Sequence, residues 1–307
     1  MLLDHVLTPA LTHTLTTVFE GGEAWLAQLP ALLDEIAQRW DLTLHQPAWS
    51  LSFNVVLPAT LADGTPVVLK LGVPNRELTS EAAALLHFAG RGAARLLHAD
   101  PERGVLLLER VWPGTPLVDL GDNLADDDQR TRIAAQVMQK LWHPPPPHHP
   151  FPTIHAWAKG MDRLRQTFNG GPGPFPTRLV EMAEAHFRDL LADPAPPVLL
   201  HGDLHHWNIL AGPGESWLAI DPKGVVGEPA YEVGALLRNP FPNPAALPDL
   251  PKIQARRIAI LAEILGMDAH RLRAWAFAQA ILSAWWSYED GGTFEPSWLA
   301  YAGSLKS

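Results

Sequence analysis

The chain contains no cysteine, which excludes disulfides, thiolate nucleophiles and cysteine-held zinc, and fits a reducing compartment. Basic residues are few: 23 Lys and Arg stand against 33 Asp and Glu, a formal charge of −10. The broad positive surface of a nucleic-acid binder is therefore missing, whereas an acidic surface suits a small cationic ligand or plain solubility. Long apolar runs are also lacking. Val105 to Leu108 stops at Glu109, far short of the ~20 residues that span a bilayer. The opening stretch MLLDHVLTPALTHTL has neither a basic start nor a continuous apolar centre, so no secretory leader is expected. Neither a membrane nor an obligate protein partner is expected, and the expected location is the cytoplasm. What is abundant is proline, 30 of 307 residues, or roughly twice the ordinary ~5%. The 47% hydrophobic content is enough to bury a core, and the length suggests two domains or one large two-lobed one.

The first part of the chain reads as a small antiparallel sheet with helices. Leu26, Leu29, Leu33, Ile36 and Trp40 recur at helical spacing between Gly22 and Trp40, with Pro30 expected to kink or split that helix. Strands are expected at Leu51–Leu57 and Pro66–Leu71, joined by the hairpin signal Ala62-Asp63-Gly64-Thr65. Asn75 can cap a helix running through Ala89, with Leu78, Ala82, Leu85 and Leu86 as its buried stripe. Two further strands, Ala94–His98 and Val105–Arg110, flank a turn at 100–104. At Trp112-Pro113-Gly114 the pattern changes, giving expected domains 1–110 and 111–307. Helical periodicity then dominates, broken by Pro144–Pro147, by Gly170–Pro174 and by one β-rich island, Val198–Ile220. Trp275 and Trp285 fall on apolar helix faces, and Asp126-Asp127-Asp128 reads as an acidic helix start.

The chemistry concentrates in VLLHGDLHHWNILAGPGESWLAIDPKG, residues 198–224. Short apolar strands there deliver Asp203, Asn208 and Asp221, whose oxygens are expected to emerge from one small sheet and to suit a hard cation such as Mg²⁺. The Asp-x-x-x-x-Asn spacing is that of a phosphoryl-transfer loop. Such chemistry needs a lysine on a strand to hold nucleotide phosphates and a helix carboxylate to fix it. Lys70 ends the strand after the hairpin, and Glu81 on the next helix is preferred as its partner over Glu77, which sits in the first turn where an acid favours the helix dipole. His201, His205 and His206 are spaced too closely on a loop to read as a transition-metal cluster.

These residues resemble the aminoglycoside/hydroxyurea resistance kinases of the protein-kinase-like fold. The most specific piece is Ile220-Asp221-Pro222-Lys223-Gly224, continuing through Gly227-Glu228-Pro229 to Tyr231-Glu232, and His201-Gly202-Asp203-Leu204-His205 is similar to the family's catalytic loop. The resemblance implies an α+β, two-lobed fold with a small antiparallel-sheet N-lobe and a larger, mainly helical C-lobe. It implies an ATP- and Mg²⁺-dependent kinase acting on an alcohol group of a small polar or cationic molecule such as streptomycin, conferring antibiotic resistance. In that frame Asp203 is the base, Asn208 and Asp221 hold the metal, and Lys70 with Glu81 serves the nucleotide. Leu108 to Val111, with Glu109 and Val111 as contacts, form the hinge whose backbone groups pair with adenine, and Ser50 or Ser52 is a candidate phosphate contact in a loop without glycines. Glu289 and Asp290, beside Trp285, Trp286 and Tyr288, together with Asp119, are candidate contacts for a cationic acceptor. A kinase for hydroxyurea or another metabolite stays open, as does a non-catalytic nucleotide-binding protein on the same fold.

Overall fold

The computed structural model describes residues 2–47, 49, 53–121, 123–239, 249–294 and 296–305. Two compact units divide the chain, Met1–Trp112 and Pro113–Ser307. Among the described residues no helix is long and apolar enough to cross a membrane.

In the first unit, β1 (Thr43–Leu44), β2 (Val55–Thr60), β3 (Pro66–Leu71), β4 (Leu96–Asp100) and β5 (Val105–Glu109) form one antiparallel sheet in the order β1-β2-β3-β5-β4. Asp63 accepts the Thr65 N–H at 2.9 Å and closes the β2–β3 turn. Side chains of period two send Val55, Leu57, Val67, Leu69, Leu71, Val105 and Leu107 into one core. That core is completed by Val6, Leu11, Leu15, Leu29, Leu33 and Ile36 from α1 (Leu2–Val6), α2 (Pro9–Val18) and α3 (Gly22–Arg39). The same alternation turns Lys70, in register with Val56 and Leu106, to the opposite face. Helix α4 (Arg76–Phe88) follows, with Asn75 Oδ1 accepting the Leu78 N–H at 2.9 Å as its N-cap.

Several boundaries differ from the sequence expectation for physical reasons. The strand expected at Leu51–Leu57 begins at Val55 and continues through Pro58 to Thr60. Pro58 is tolerated because its carbonyl accepts from His45 N–H at 2.8 Å, on the side facing β1. The missing proline N–H faces that same side, where β1 has already ended at Leu44, so the ladder to β3 loses nothing. Helix α3 is not split at Pro30: the proline is exposed, while Trp25, Leu29, Leu32, Leu33 and Ile36 on either side of it are buried. Each such burial contributes about 1.5–3 kcal/mol, which offsets the ~3 kcal/mol a helix-interior proline costs. Leu86, expected in the buried stripe of α4, is 70% exposed; of the four expected residues Leu78, Ala82 and Leu85 are buried, joined by Ala84 and Phe88. Strand β4 begins at Leu96, two residues late, and carries a bulge between Leu96 and His98.

The second unit contains α5 (Leu124–Leu141), α6 (Ile154–Thr167), α7 (Thr177–Ala192), α8 (Val233–Leu237), α9 (Leu250–Leu265), α10 (Ala269–Gly291) and α11 (Pro296–Ser304). Helix α10 is its centre, buried almost all round from Leu272 to Trp285, with Trp275 and Trp285 in the core. The β-rich island is two separate ladders where one short sheet was expected: β6 (Val198–Leu200) pairs with β9 (Val225–Gly227), and β7 (Ile209–Ala211) with β8 (Trp217–Ala219). The acidic triplet at the start of α5 does more than complement a helix dipole. Asp126 closes a capping box with Asn123, and Asp128 pairs with Arg256. Asp127 is buried, taking Arg257 of α9 on both oxygens at 2.5 and 2.9 Å.

Candidate active site

In the first unit, Lys70 and Glu81 form a buried pair. Both are buried, at 5% and 4% exposure, and Lys70 Nζ lies 2.8 and 2.7 Å from the two Glu81 carboxylate oxygens. Glu77, the competing acid one turn earlier, is exposed. A lysine buried on a strand requires such a partner, because an isolated ammonium out of water is strongly unfavourable.

In the second unit, the candidate residues gather on the loop between β6 and β7. Gly202 has φ +87, and a Cβ on it would stand 2.9 Å from the Trp157 ring, so the turn requires glycine twice over. Glu232 secures this turn from below: its two oxygens accept the backbone N–H groups of His201 at 2.7 Å and Gly202 at 2.9 Å. Burial pushes the Glu232 carboxyl up to about 7, although those two N–H groups pull the other way. His201 is fully buried and driven down to about 4, so it is neutral. Its tautomer follows from its contacts. Nδ1 accepts the Asp203 N–H at 3.3 Å, leaving Nε2 to donate to the Ile220 carbonyl at 2.8 Å.

That imidazole ties together the two acids of interest, since Asp203 is two residues after it and Asp221 directly follows Ile220. Asp221 has φ 60, unusual for a residue with a side chain, and holds about 1–2 kcal/mol of backbone strain. Ile220 is also held by its N–H, which donates to the Asn208 carbonyl at 3.0 Å. Asn208 turns its Nδ2 to the Asp203 backbone carbonyl at 3.0 Å, which leaves Oδ1 as the atom the amide offers outward. With the Asp221 carboxylate, this is an all-oxygen donor set that fits a hard divalent cation whose shell is completed by phosphate and water.

Asp203 itself is ionised. Burial alone would raise it, but the charges of Arg238, His205 and Lys223 outweigh that and hold it below the ordinary carboxylate range. Arg238 donates to its Oδ1 at 2.8 Å, whereas His205 Nε2 stays 3.7 Å from Oδ2. Trp207, beside His205, is 38% exposed and packs edge-on against that ring.

The remaining candidates are placed as follows. Glu109 spends its carboxylate on Arg95, accepting from the backbone N–H at 2.9 Å and from Nε at 2.7 Å, and its own N–H donates to the Arg95 carbonyl at 3.0 Å, so neither its side chain nor its N–H is left for a ligand. The backbone groups of Val111 have no hydrogen-bond partner among the described residues. Ser50 and Ser52 lie outside the described residues. Glu289 is bound on both oxygens by Arg163 of α6, at 2.7 and 2.8 Å, and so is already neutralised. Asp290 is exposed near the end of α10, and Asp119 is exposed in the 3-10 turn Leu117–Leu120. Sequence reasoning missed Glu232, Arg238 and Gln279. Only Glu232 carried a signal, as the last residue of the P-x-Y-[DE] run.

A sequence profile of the aminoglycoside/hydroxyurea antibiotic resistance kinase family matches residues 39–291. The chain belongs to that family. It is 32% identical over 288 residues to a streptomycin 6-kinase of Streptomyces glaucescens, covering 94% of this chain and 92% of the relative. A hydroxyurea phosphotransferase of Kitasatospora aureofaciens is 33% identical over 281 residues, covering 88% and 76%. Among solved structures, a thermostable aminoglycoside phosphotransferase in ternary complex with ADP and hygromycin B superposes with a TM-score of 0.61 at 15% identity, covering 89% of this chain and 95% of that one. The fold is thus that of the protein-kinase-like phosphotransferases, and this family member is a phosphotransferase.

Proposed function

We propose that the protein transfers the γ-phosphoryl group of ATP to a hydroxyl of a small, polar, cationic acceptor of the streptomycin type. The observation that carries this reading is Asp203, paired with Arg238 at 2.8 Å on a loop whose backbone, neighbouring imidazole and Asn208 amide are all fixed by hydrogen bonds. The acceptor oxygen attacks the γ-phosphorus. As that O–P bond forms, the bond to the β,γ-bridging oxygen breaks and its electron pair leaves with ADP, while the hydroxyl proton passes to Asp203. Lys70, held by Glu81, neutralises α/β-phosphate charge, and the main-chain carbonyl of Glu109 with the main chain of Val111 meets the adenine edge. Asn208 and Asp221 would hold Mg²⁺, which when bound neutralises charge on the phosphates. Since phosphoryl transfer asks for little covalent help, positioning and electrostatics are what these residues supply.

The choice of acceptor is supported by the streptomycin 6-kinase similarity. One feature favours a second acceptor: Glu289 is neutralised by Arg163, which reduces the acidic surface available to a polycation and leaves hydroxyurea, a small neutral hydroxyl donor, as the competing substrate. The test is coupled ADP release over streptomycin, other aminoglycosides, hydroxyurea and small amino alcohols, with phosphate incorporation into the acceptor followed by mass spectrometry. Streptomycin-dependent turnover supports the reading. Turnover confined to hydroxyurea reassigns the acceptor, and no acceptor-dependent turnover with the whole panel removes the proposal.

A further inference from the structure

The segment that follows β9 grips the 201–203 loop twice. Glu232 takes its backbone, as described above. One helical stretch later, Arg238 at the end of α8 reaches the side chain: Nη2 donates to Asp203 Oδ1 at 2.8 Å, and Nη1 donates to Gln279 Oε1 at 2.6 Å. Gln279 lies in the middle of α10 and is 2% exposed. It can approach because residue 234, one turn before Arg238, has no side chain; a Cβ there would stand 2.0 Å from Gln279 Oε1. The Arg238 N–H also donates to the Gly234 carbonyl at 3.2 Å, which ties the arginine backbone to the same turn.

A guanidinium is a rigid plane with donors in fixed directions. Pinning one of its nitrogens on Gln279 therefore fixes the plane, and the second nitrogen fixes the Asp203 carboxylate. A carboxylate held only by its own χ2 torsion turns easily, since that torsion is broad and two-fold. Engaged on Oδ1, it presents a single remaining oxygen.

We propose that Arg238, oriented by Gln279, is a positioning residue that occupies Oδ1 of Asp203 and so assigns Oδ2 as the atom receiving the acceptor's hydroxyl proton. The inference rests on the reading of Asp203 as the base. Its consequence is a defined angle of approach for the hydroxyl: without Arg238 the substrates bind but the oxygen is held less often in line. A misplacement of this kind lowers the rate by about 10²-fold, with no change required in binding.

Steady-state kinetics of Arg238→Gln, Arg238→Lys, Arg238→Gly, Gln279→Leu and Asp203→Asn, using the acceptor that serves the wild type best, tests this. Arg238→Gln is expected to lower kcat by about 10²-fold with both KM values within about threefold, the signature of an interaction made in the transition state. Lysine keeps the charge but cannot span Gln279 and Asp203 as a plane, so kcat should stay at least about tenfold down. Gln279→Leu leaves the arginine in place and is expected to lower kcat by about tenfold, which keeps the test decisive if Arg238→Gln does not fold. Guanidinium ion at tens of millimolar should partly restore kcat in Arg238→Gly without altering the melting temperature. An unchanged kcat in folded Arg238→Gln or Gln279→Leu, or an activity loss that tracks stability and resists guanidinium, overturns the inference. Asp203→Asn separates the two levels: if it is inactive while Arg238→Gln is normal, only this inference fails. If Asp203→Asn keeps wild-type kcat, the function reading fails and takes this inference with it.

Discussion

Lys70 Nζ sits between the two oxygens of the Glu81 carboxylate, at 2.8 and 2.7 Å, with both side chains buried in the sheet unit. Removing one partner of such a pair leaves an uncompensated buried charge and costs about 3–5 kcal/mol, whereas replacing both with apolar residues is often neutral. Lys70→Met and Glu81→Leu should each lower the urea midpoint sharply, and the double variant should recover most of it. Activity should not recover, because the ammonium proposed to meet the nucleotide phosphates is gone: the double variant is expected to show a raised KM for ATP or a lowered kcat. A double variant with normal kinetics would return the pair to a purely structural role.

Asp203→Ala should reduce kcat by about 10²–10⁴-fold, the ordinary contribution of a positioned base. Nucleotide binding should stay within a few-fold of wild type, since Lys70 and the proposed metal ligands are untouched. Fluorescence titration with ATP in the presence of Mg²⁺ measures the second quantity independently of turnover. Joint loss of binding and turnover would show that the loop collapses without its carboxylate.

Many of the candidate residues could be picked out from the chain because their signals are local. The Asp63-Gly64 turn fixed the hairpin, and period two then placed Lys70 on the face away from the apolar residues beside it. The 201–208 segment was readable because its Asp-x-x-x-x-Asn spacing is that of a phosphoryl-transfer loop, and 220–232 because it resembles the family's motif. The illegible parts depend on distant partners. Pro58 is acceptable in a strand only because β1 stops where it does. Arg238 meets Asp203 across 35 residues, and Arg257 meets Asp127 across 130, so nothing near either arginine announces its role. The aromatic residues near Glu289 suggested a cation site, but helix spacing alone did not reveal that Arg163 of another helix had already taken that carboxylate.

The Asp127–Arg257 pair offers a test confined to the helical unit. Arg257 is buried, contacts both Asp127 oxygens and also donates to the Asn239 carbonyl at 2.7 Å. It thereby joins α5 to α9 and to the chain after α8. Arg257→Met should lose up to about 3–5 kcal/mol, since the buried Asp127 carboxylate then keeps only Arg130, at 3.5 Å. Adding Asp127→Leu should restore part of that loss, with the carbonyl of Asn239 still short of a donor. Urea unfolding of the two single variants and the double variant measures the coupling. Additive losses would mean that the two side chains do not act as a unit.

The buried His201 and Glu232 push the pH dependence of stability in opposite directions. His201 is about 4 in the folded chain against 6.5 as an ordinary imidazole, so between those values the unfolded chain binds a proton that the folded chain does not. Stability from His201 therefore rises with pH through that window and is lost on acidification, by about 3 kcal/mol in all. His206, also buried and pushed well below its ordinary value, adds a loss of the same sign. Glu232, raised to about 7 from 4.5, binds its proton in the folded chain first, so its contribution falls as pH rises from 4.5 to 7. Where the windows overlap, Glu232 masks one of the two histidines. In His201→Gln, whose amide can still donate to the Ile220 carbonyl, that mask faces His206 alone, and acidification should destabilise less. The free-energy difference between wild type and His201→Gln, followed by urea unfolding, should shrink by about 3 kcal/mol from pH 6.5 to pH 4. A difference that stays constant across that range would mean that His201 takes up no additional proton on unfolding.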